Sequence, residues 1–265
     1  MKLRFLSLFT LVAIIFTSCS KNEELNEPIS ADLETSRSFQ SSITNVTHVY
    51  DYYGESIRVE YQFDNEKEDV VAVQGDTERA EALFRDQENA PKGFVFEEME
   101  EYRESTGLAE SIELRIKLFN LAEEADEYVA STYQVPAEKG EANRGPCSNL
   151  DIGGTGNFYY YKHINYVSEM TSLRRTNRYF SRNYWVGSAN NDQLSSLIAL
   201  KPTNKRALVG LYEHSCFNGK SIWFYQGYGY GGFGVSNLKW YTLSGWWFWR
   251  TSWNDQVSSM FMYSY

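Results

Sequence analysis

The segment Asn191-Asp192-Gln193-Leu194-Ser195-Ser196 returns as Asn254-Asp255-Gln256-Val257-Ser258-Ser259, with five of six positions identical. Upstream of each copy stands a second matched element. Tyr161-Lys162-His163-Ile164-Asn165-Tyr166-Val167-Ser168 aligns with Tyr212-Glu213-His214-Ser215-Cys216-Phe217-Asn218-Gly219. Two elements repeated in the same order mark a duplicated unit, and a duplicated unit builds its core by packing one copy on the other. The units read as β. Leu208 to Glu213 and Ser221 to Tyr225 alternate or run apolar, with Asn218-Gly219 as the turn between them. Gly219 has no Cβ and can take the positive φ of a tight hairpin. Tyr212 and Phe217 flank that turn and can stack across it. Each turn rich in Asn, Asp and Ser precedes an apolar strand, Leu197 to Leu200 or Met260 to Tyr263. Four short strands per unit, twice over, predict a two-sheet Greek-key sandwich. The second copy is longer, mostly through Gln226 to Gly234, which is rich in Gly and Tyr.

The preceding half is of another kind. Residues 60–141 hold 23 acids and 8 bases, a net of −15; residues 144–265 hold 5 acids and 12 bases, a net of +7. All seven tryptophans, from Trp185 to Trp253, lie in the second half. Val135-Pro136 to Gly145-Pro146 is a run of small, polar and breaker residues, which marks a boundary. The expected organisation is therefore an acidic α+β module over 43–132, a linker over 133–149 and an all-β domain over 150–265. Within the acidic module, residues 46–63 read as a hairpin around Gly54-Glu55, and Asp69 to Val73 and Gly93 to Phe96 as short strands. Thr77 reads as the N-cap of a helix with Ala80, Leu83 and Phe84 on one face. Glu97 to Ser105 and Ile112 to Ser131 read as helices, the latter from Ile112, Ile116, Phe119 and Ala122 at three- or four-residue steps.

The first residues carry an address. Met1-Lys2-Leu3-Arg4 is a basic head, Phe5 to Phe16 an apolar run too short to span a bilayer, and Thr17-Ser18-Cys19 a cut site. Cys19 after small residues resembles a lipobox. It implies a leader over 1–18, a lipid on the Cys19 thiol and a tether over 19–42. Ser20-Lys21-Asn22-Glu23-Glu24 resembles the acidic start of lipoproteins of the Bacteroidetes, which implies the outer membrane and its cell-surface face. A lipid anchors a chain without crossing the membrane. In that oxidising setting Cys147 and Cys216 form a candidate disulfide.

An aromatic, four residues, an aromatic, one residue and then Gly is met by Tyr212, Phe217 and Gly219, and it resembles the Greek-key signature of the βγ-crystallins. That family's calcium motif, two Asn/Asp, two variable residues, Ser/Thr and Ser, is met by both repeated turns. The likeness covers roughly residues 150–265. It implies Ca2+ as the bound ion, held by Asp192, Gln193 and Ser195 from one copy and by Asp255, Gln256 and Ser258 from the other. The hairpin positions Lys162 and Glu213 complete the set, and Ser196 and Ser259 hold backbone. The chemistry suits a hard cation that takes six to eight oxygens. Two departures stand out: Ser168 occupies a glycine position, and Lys162 can offer only its backbone carbonyl.

Catalytic chemistry is sparse. His48, His163 and His214 have no metal-ligand spacing, and the glycines from Gly227 to Gly234 have no following Lys-Ser/Thr and open no helix. The expectation is a surface-anchored binding or structural module and not an enzyme, with a glycan or other polyanion, or a protein, as ligand and no nucleic acid. Trp246-Trp247-Phe248-Trp249 and the basic balance motivate the glycan. The alternative is a protease inhibitor, because some bacterial proteins of this fold inhibit metalloproteases; Gln226 to Gly234 would then be the inhibitory loop.

Overall fold

The computed structural model describes residues 43–100, 111–135, 147–246 and 250–265. The leader, Cys19, the tether, residues 101–105 of the first expected acidic helix and Trp247-Phe248-Trp249 lie outside the described residues.

Tyr53 and Gly54, both at positive φ, make the two-residue turn that joins β1 (Ile43–Tyr52) to β2 (Glu55–Asp64). β3 (Asp69–Gly75) continues the antiparallel run. α1 (Thr77–Phe84) follows Asp76, which makes no side-chain cap, and turns Ala80 and Phe84 inward. After β4 (Gly93–Phe96) the expected helix over Glu97 to Ser105 fails in its described part. Glu97 to Glu100 is non-helical, with the Met99 N–H on the Tyr225 carbonyl and the Met99 and Glu100 carbonyls on the Gln226 amide. The helix expected from Ile112 is corrected too. Ser111–Phe119 is strand β5, and α2 is confined to Ala122–Tyr133. Leu114, Ile116 and Leu118 are buried at a period of two, beside half-buried Ile112, which puts the apolar set on one side of a pleat. β5 lies between β1, parallel to it, and β4, antiparallel.

The second half holds β6 (Leu150–His163), β7 (Val167–Glu169), β8 (Arg175–Asn183) and β9 (Ser196–Leu200). Then come β10 (Ala207–Tyr212), β11 (Ser221–Gln226), β12 (Gly232–Val235), the short pair β13 (Thr242–Ser244) and β14 (Thr251–Ser252), and β15 (Ser259–Ser264). Hydrogen bonding runs β12-β9-β6-β7 in one set and β8-β15-β10-β11 in the other. The third strand of each repeat thus pairs with the last strand of the other. The N-terminal part of β6, broken by register shifts, also pairs with β8 and joins the sets.

The acidic and basic segments share one sheet and one core. β4 pairs parallel with β11, Ser221 opposite Gly93 through Phe224 opposite Phe96. Phe96 stacks on Phe224, and Tyr61 meets Trp246 edge-on. Trp246 is buried in that core, so it offers no exposed ring. Cys147 and Cys216 lie at bonding distance (S–S 2.08 Å), closing a separation of 69 residues.

Candidate functional site

The two repeated turns meet face to face. Asp192 and Asp255 are both left-handed, at φ 53° and 56°. The Asp192 N–H donates to the Val257 carbonyl (3.4 Å) and the Asp255 N–H to the Leu194 carbonyl (3.0 Å), so each turn holds the other by the same backbone position. Within each turn the asparagine amide braces its aspartate: Asn191 Nδ2 donates to Asp192 Oδ2 (2.6 Å), and Asn254 Nδ2 to Asp255 Oδ2 (2.7 Å).

Each turn is also fastened to the hairpin of its own repeat. The Ser195 N–H donates to the Tyr161 carbonyl (2.9 Å) and the Ser258 N–H to the Tyr212 carbonyl (3.0 Å). Ser196 Oγ donates to the His163 carbonyl and accepts the Tyr166 N–H; Ser259 Oγ does the same with His214 and Phe217. The final serines therefore bond backbone. Asn165, Tyr166 and Ser168 have φ of 56°, 61° and 62°; Cys216, Phe217 and Gly219 have 60°, 59° and 80°. Tyr161 meets Tyr166 at 5.7 Å and Tyr212 meets Phe217 at 5.1 Å, both edge-on.

Three oxygens converge at the first hairpin. Ser195 Oγ donates to the Lys162 carbonyl (2.6 Å) and lies 3.4 Å from Asp255 Oδ1. The group is crossed: the hairpin and serine come from the first repeat and the carboxylate from the second. Partial burial, above all, pushes the Asp255 carboxyl above its ordinary range, opposed by the Ser195 hydroxyl and the Lys239 charge. Asn254 Oδ1, in the same turn, is buried without a hydrogen-bond partner. A partly buried anion, a hydroxyl and a carbonyl form an all-oxygen donor set of the kind that suits a hard cation. Lys162 enters through its carbonyl, as its chemistry requires.

At the second hairpin Glu213 Oε2 accepts the Lys220 N–H (3.2 Å). Ser258 is buried, Asp192 is exposed, and Gln193 and Gln256 are half-buried after their aspartates. Among the described residues, no group of three or more His, Cys, Asp or Glu side chains is gathered as a metal site; the crossed set rests on carbonyl and hydroxyl oxygens instead. Nor is any helix among them long and apolar enough to cross a membrane.

Two features had no place in the sequence reading. Asp126 of α2 accepts hydrogen bonds from Trp223 Nε1 (2.8 Å) and the Tyr212 hydroxyl (3.2 Å), and burial pushes its carboxyl up to about 6. The signal was an acid set within the apolar stripe of Ala122, Ala125 and Val129. The other is Lys239, which pairs with Glu68 of the acidic segment beside Leu238, whose N–H donates to the Ser195 carbonyl. The chain matches no family model, no curated protein and no solved structure.

Proposed function

We propose that this chain is a calcium-stabilised binding or structural module of βγ-crystallin type, held to the outer membrane by a lipid on Cys19 and displayed at the cell surface. The observation that carries the reading is the crossed oxygen set of Ser195, Lys162 and Asp255. It draws on three segments distant in sequence and assembles only in the folded state. The exchange of third strands between the repeats supports a pair of interlocked Greek keys. The matching φ values of the two hairpins support a duplicated unit. Asp192, Gln193, Ser258 and Glu213 would form the second clamp by the same crossing.

An ion that binds the native state alone stabilises it by RT ln(1 + [Ca]/Kd), about 2.7 kcal/mol at a hundred times Kd. Extracellular calcium modules work at about 10⁻⁴ to 10⁻³ M. The test is calorimetric titration and thermal melting of the full mature chain, in chelator and then in calcium. Tm should rise with millimolar calcium, and Ser195→Ala with Ser258→Ala should remove most of the rise. Magnesium should substitute poorly, since it demands a small octahedral shell. An unchanged Tm with no heat of binding would sink the calcium reading. The anchor is tested separately: Cys19→Ala should leave an uncleaved or soluble product.

A further inference from the structure

The inserted stretch of the second repeat presents two tyrosines to solvent. Tyr228 is 55 % exposed and Tyr230 46 %. Their loop is laced to the one before β10. The Lys201 N–H donates to the Gly231 carbonyl (2.9 Å), Lys201 Nζ to the Tyr230 carbonyl (2.7 Å) and the Gly229 N–H to the Thr203 carbonyl (2.7 Å). Gly232, at φ 136°, presses on β9, where a Cβ would stand 2.2 Å from the Ala199 carbonyl oxygen. The backbone that carries the rings is thus held in place before any ligand arrives, which lowers the ordering cost of binding.

Beside them lies a cation in an aromatic setting. The Arg206 guanidinium sits over the Tyr228 ring at 4.5 Å and the Tyr265 ring at 5.6 Å. Tyr265 in turn stacks on Tyr263 at 4.3 Å. Among the described residues the partners of the Arg206 guanidinium are tyrosines, not carboxylates. Residues 197–240 hold five bases and one acid, Glu213, which belongs to the far hairpin.

We propose that Tyr228, Tyr230, Tyr265 and Arg206 form a platform for a carboxylated polysaccharide. The C–H face of a sugar ring packs on a tyrosine face. Its carboxylate meets the planar guanidinium in a two-point hydrogen bond that a point charge would not reproduce. A protein anchor would need a rim of contacts to exclude water around each ring. Here both rings are flanked in the chain by glycines, Gly227, Gly229 and Gly231, which leaves backbone polar groups for a sugar to reach.

This inference rests on the reading of the chain as a binding module but not on its calcium. In β10, Ala207 faces Gln226 and Ser264, next to the platform, whereas Tyr212 faces Ser221 and Ser259, next to the clamps. Six strand residues, about 17–20 Å, separate the two ends.

The experiment titrates the full mature chain in chelator with fragments of hyaluronan, alginate and polygalacturonate, and with the same fragments after esterification of their carboxyl groups. At least one acid fragment should bind, and its ester at least tenfold more weakly. Arg206→Gln should cost tenfold or more and Tyr228→Ala several-fold, both with an unchanged melting temperature. Asp255→Asn, at the other end, should bind the fragment normally whatever it does to calcium. Binding that survives Tyr228→Ala, or equal binding of acid and ester, would overturn the platform. So would the absence of binding by every fragment, or RNA binding with the same mutational pattern.

Discussion

The hairpins of the two repeats follow one another angle for angle, yet they are held very differently. The second has two ties and a glycine at its left-handed position. Cys216 is bridged to Cys147, the Tyr212 hydroxyl donates to Asp126 of α2, and Gly219 takes φ 80° without a side chain. The first has Ser168 at φ 62°, a conformation that costs an L-residue roughly 1–2 kcal/mol, and has Asn165 where the second has its disulfide cysteine. The charges differ as well, Lys162 against Glu213. One duplicated design has thus become an anchored half and a looser half.

The disulfide carries the largest expected effect. Closing a loop of 69 residues stabilises by about 4 kcal/mol on the chain-entropy model. Replacing Cys147 and Cys216 by Ala should lower the urea midpoint accordingly. Hydrogen exchange should then quicken at Cys216 to Lys220 more than at Asn165 to Ser168; equal quickening would break the contrast between the halves.

The second tie is pH-dependent. Burial lifts the Asp126 carboxyl from an ordinary 3.8 to about 6. A raised folded pKa gives stability that is fully present below the unfolded value and is lost as pH rises through the folded one. This group should therefore account for a loss of about 2 kcal/mol between pH 4 and pH 7. Denaturation of wild type and Asp126→Asn across that range should show the loss in the first and its absence in the second. Parallel curves would remove Asp126 as the source.

Smaller effects separate the clamps. Under the calcium reading, Lys162→Glu should tighten the crossed site and Glu213→Lys should weaken the other, each by about 1 kcal/mol or roughly fivefold in Kd. Two-site calorimetry would resolve them, and shifts of one sign would argue against two distinct clamps. Smallest is the backbone term. Ser168→Gly should stabilise by about 1 kcal/mol or less. Gly219→Ser should destabilise by more, because its Cβ would stand 2.9 Å from His214 Cδ2 as well as at positive φ. Paired thermal melts decide between them.

What the sequence made legible follows from how locally each feature is encoded. The repeated turns were readable because Asn, Asp, Ser and Gly at left-handed positions write their geometry into a few residues. β5 was misread because Ile112, Ile116 and Phe119 satisfy a helical step while Ile112, Leu114, Ile116 and Leu118 satisfy a strand period. The short window could not choose, and pairing with β1 and β4 did. The oxygen-bearing residues of the turns were readable, but their crossing was not. That Ser195 faces Asp255 depends on how the two repeats pack. Asp126 was hidden for a like reason: its partners Tyr212 and Trp223 lie almost a hundred residues away.

The parallel pairing of β4 with β11 has a further consequence. Without the acidic segment, β11 would end its sheet as a bare row of N–H and C=O groups from Ser221 to Phe224. Such an edge is a template for a second chain. The four residues Gly93 to Phe96 thus act as a stopper against edge-to-edge aggregation. A fragment cut within the linker should be prone to self-association even where its own strands are correctly paired, and size-exclusion chromatography of residues 147–265 against the full chain would show it.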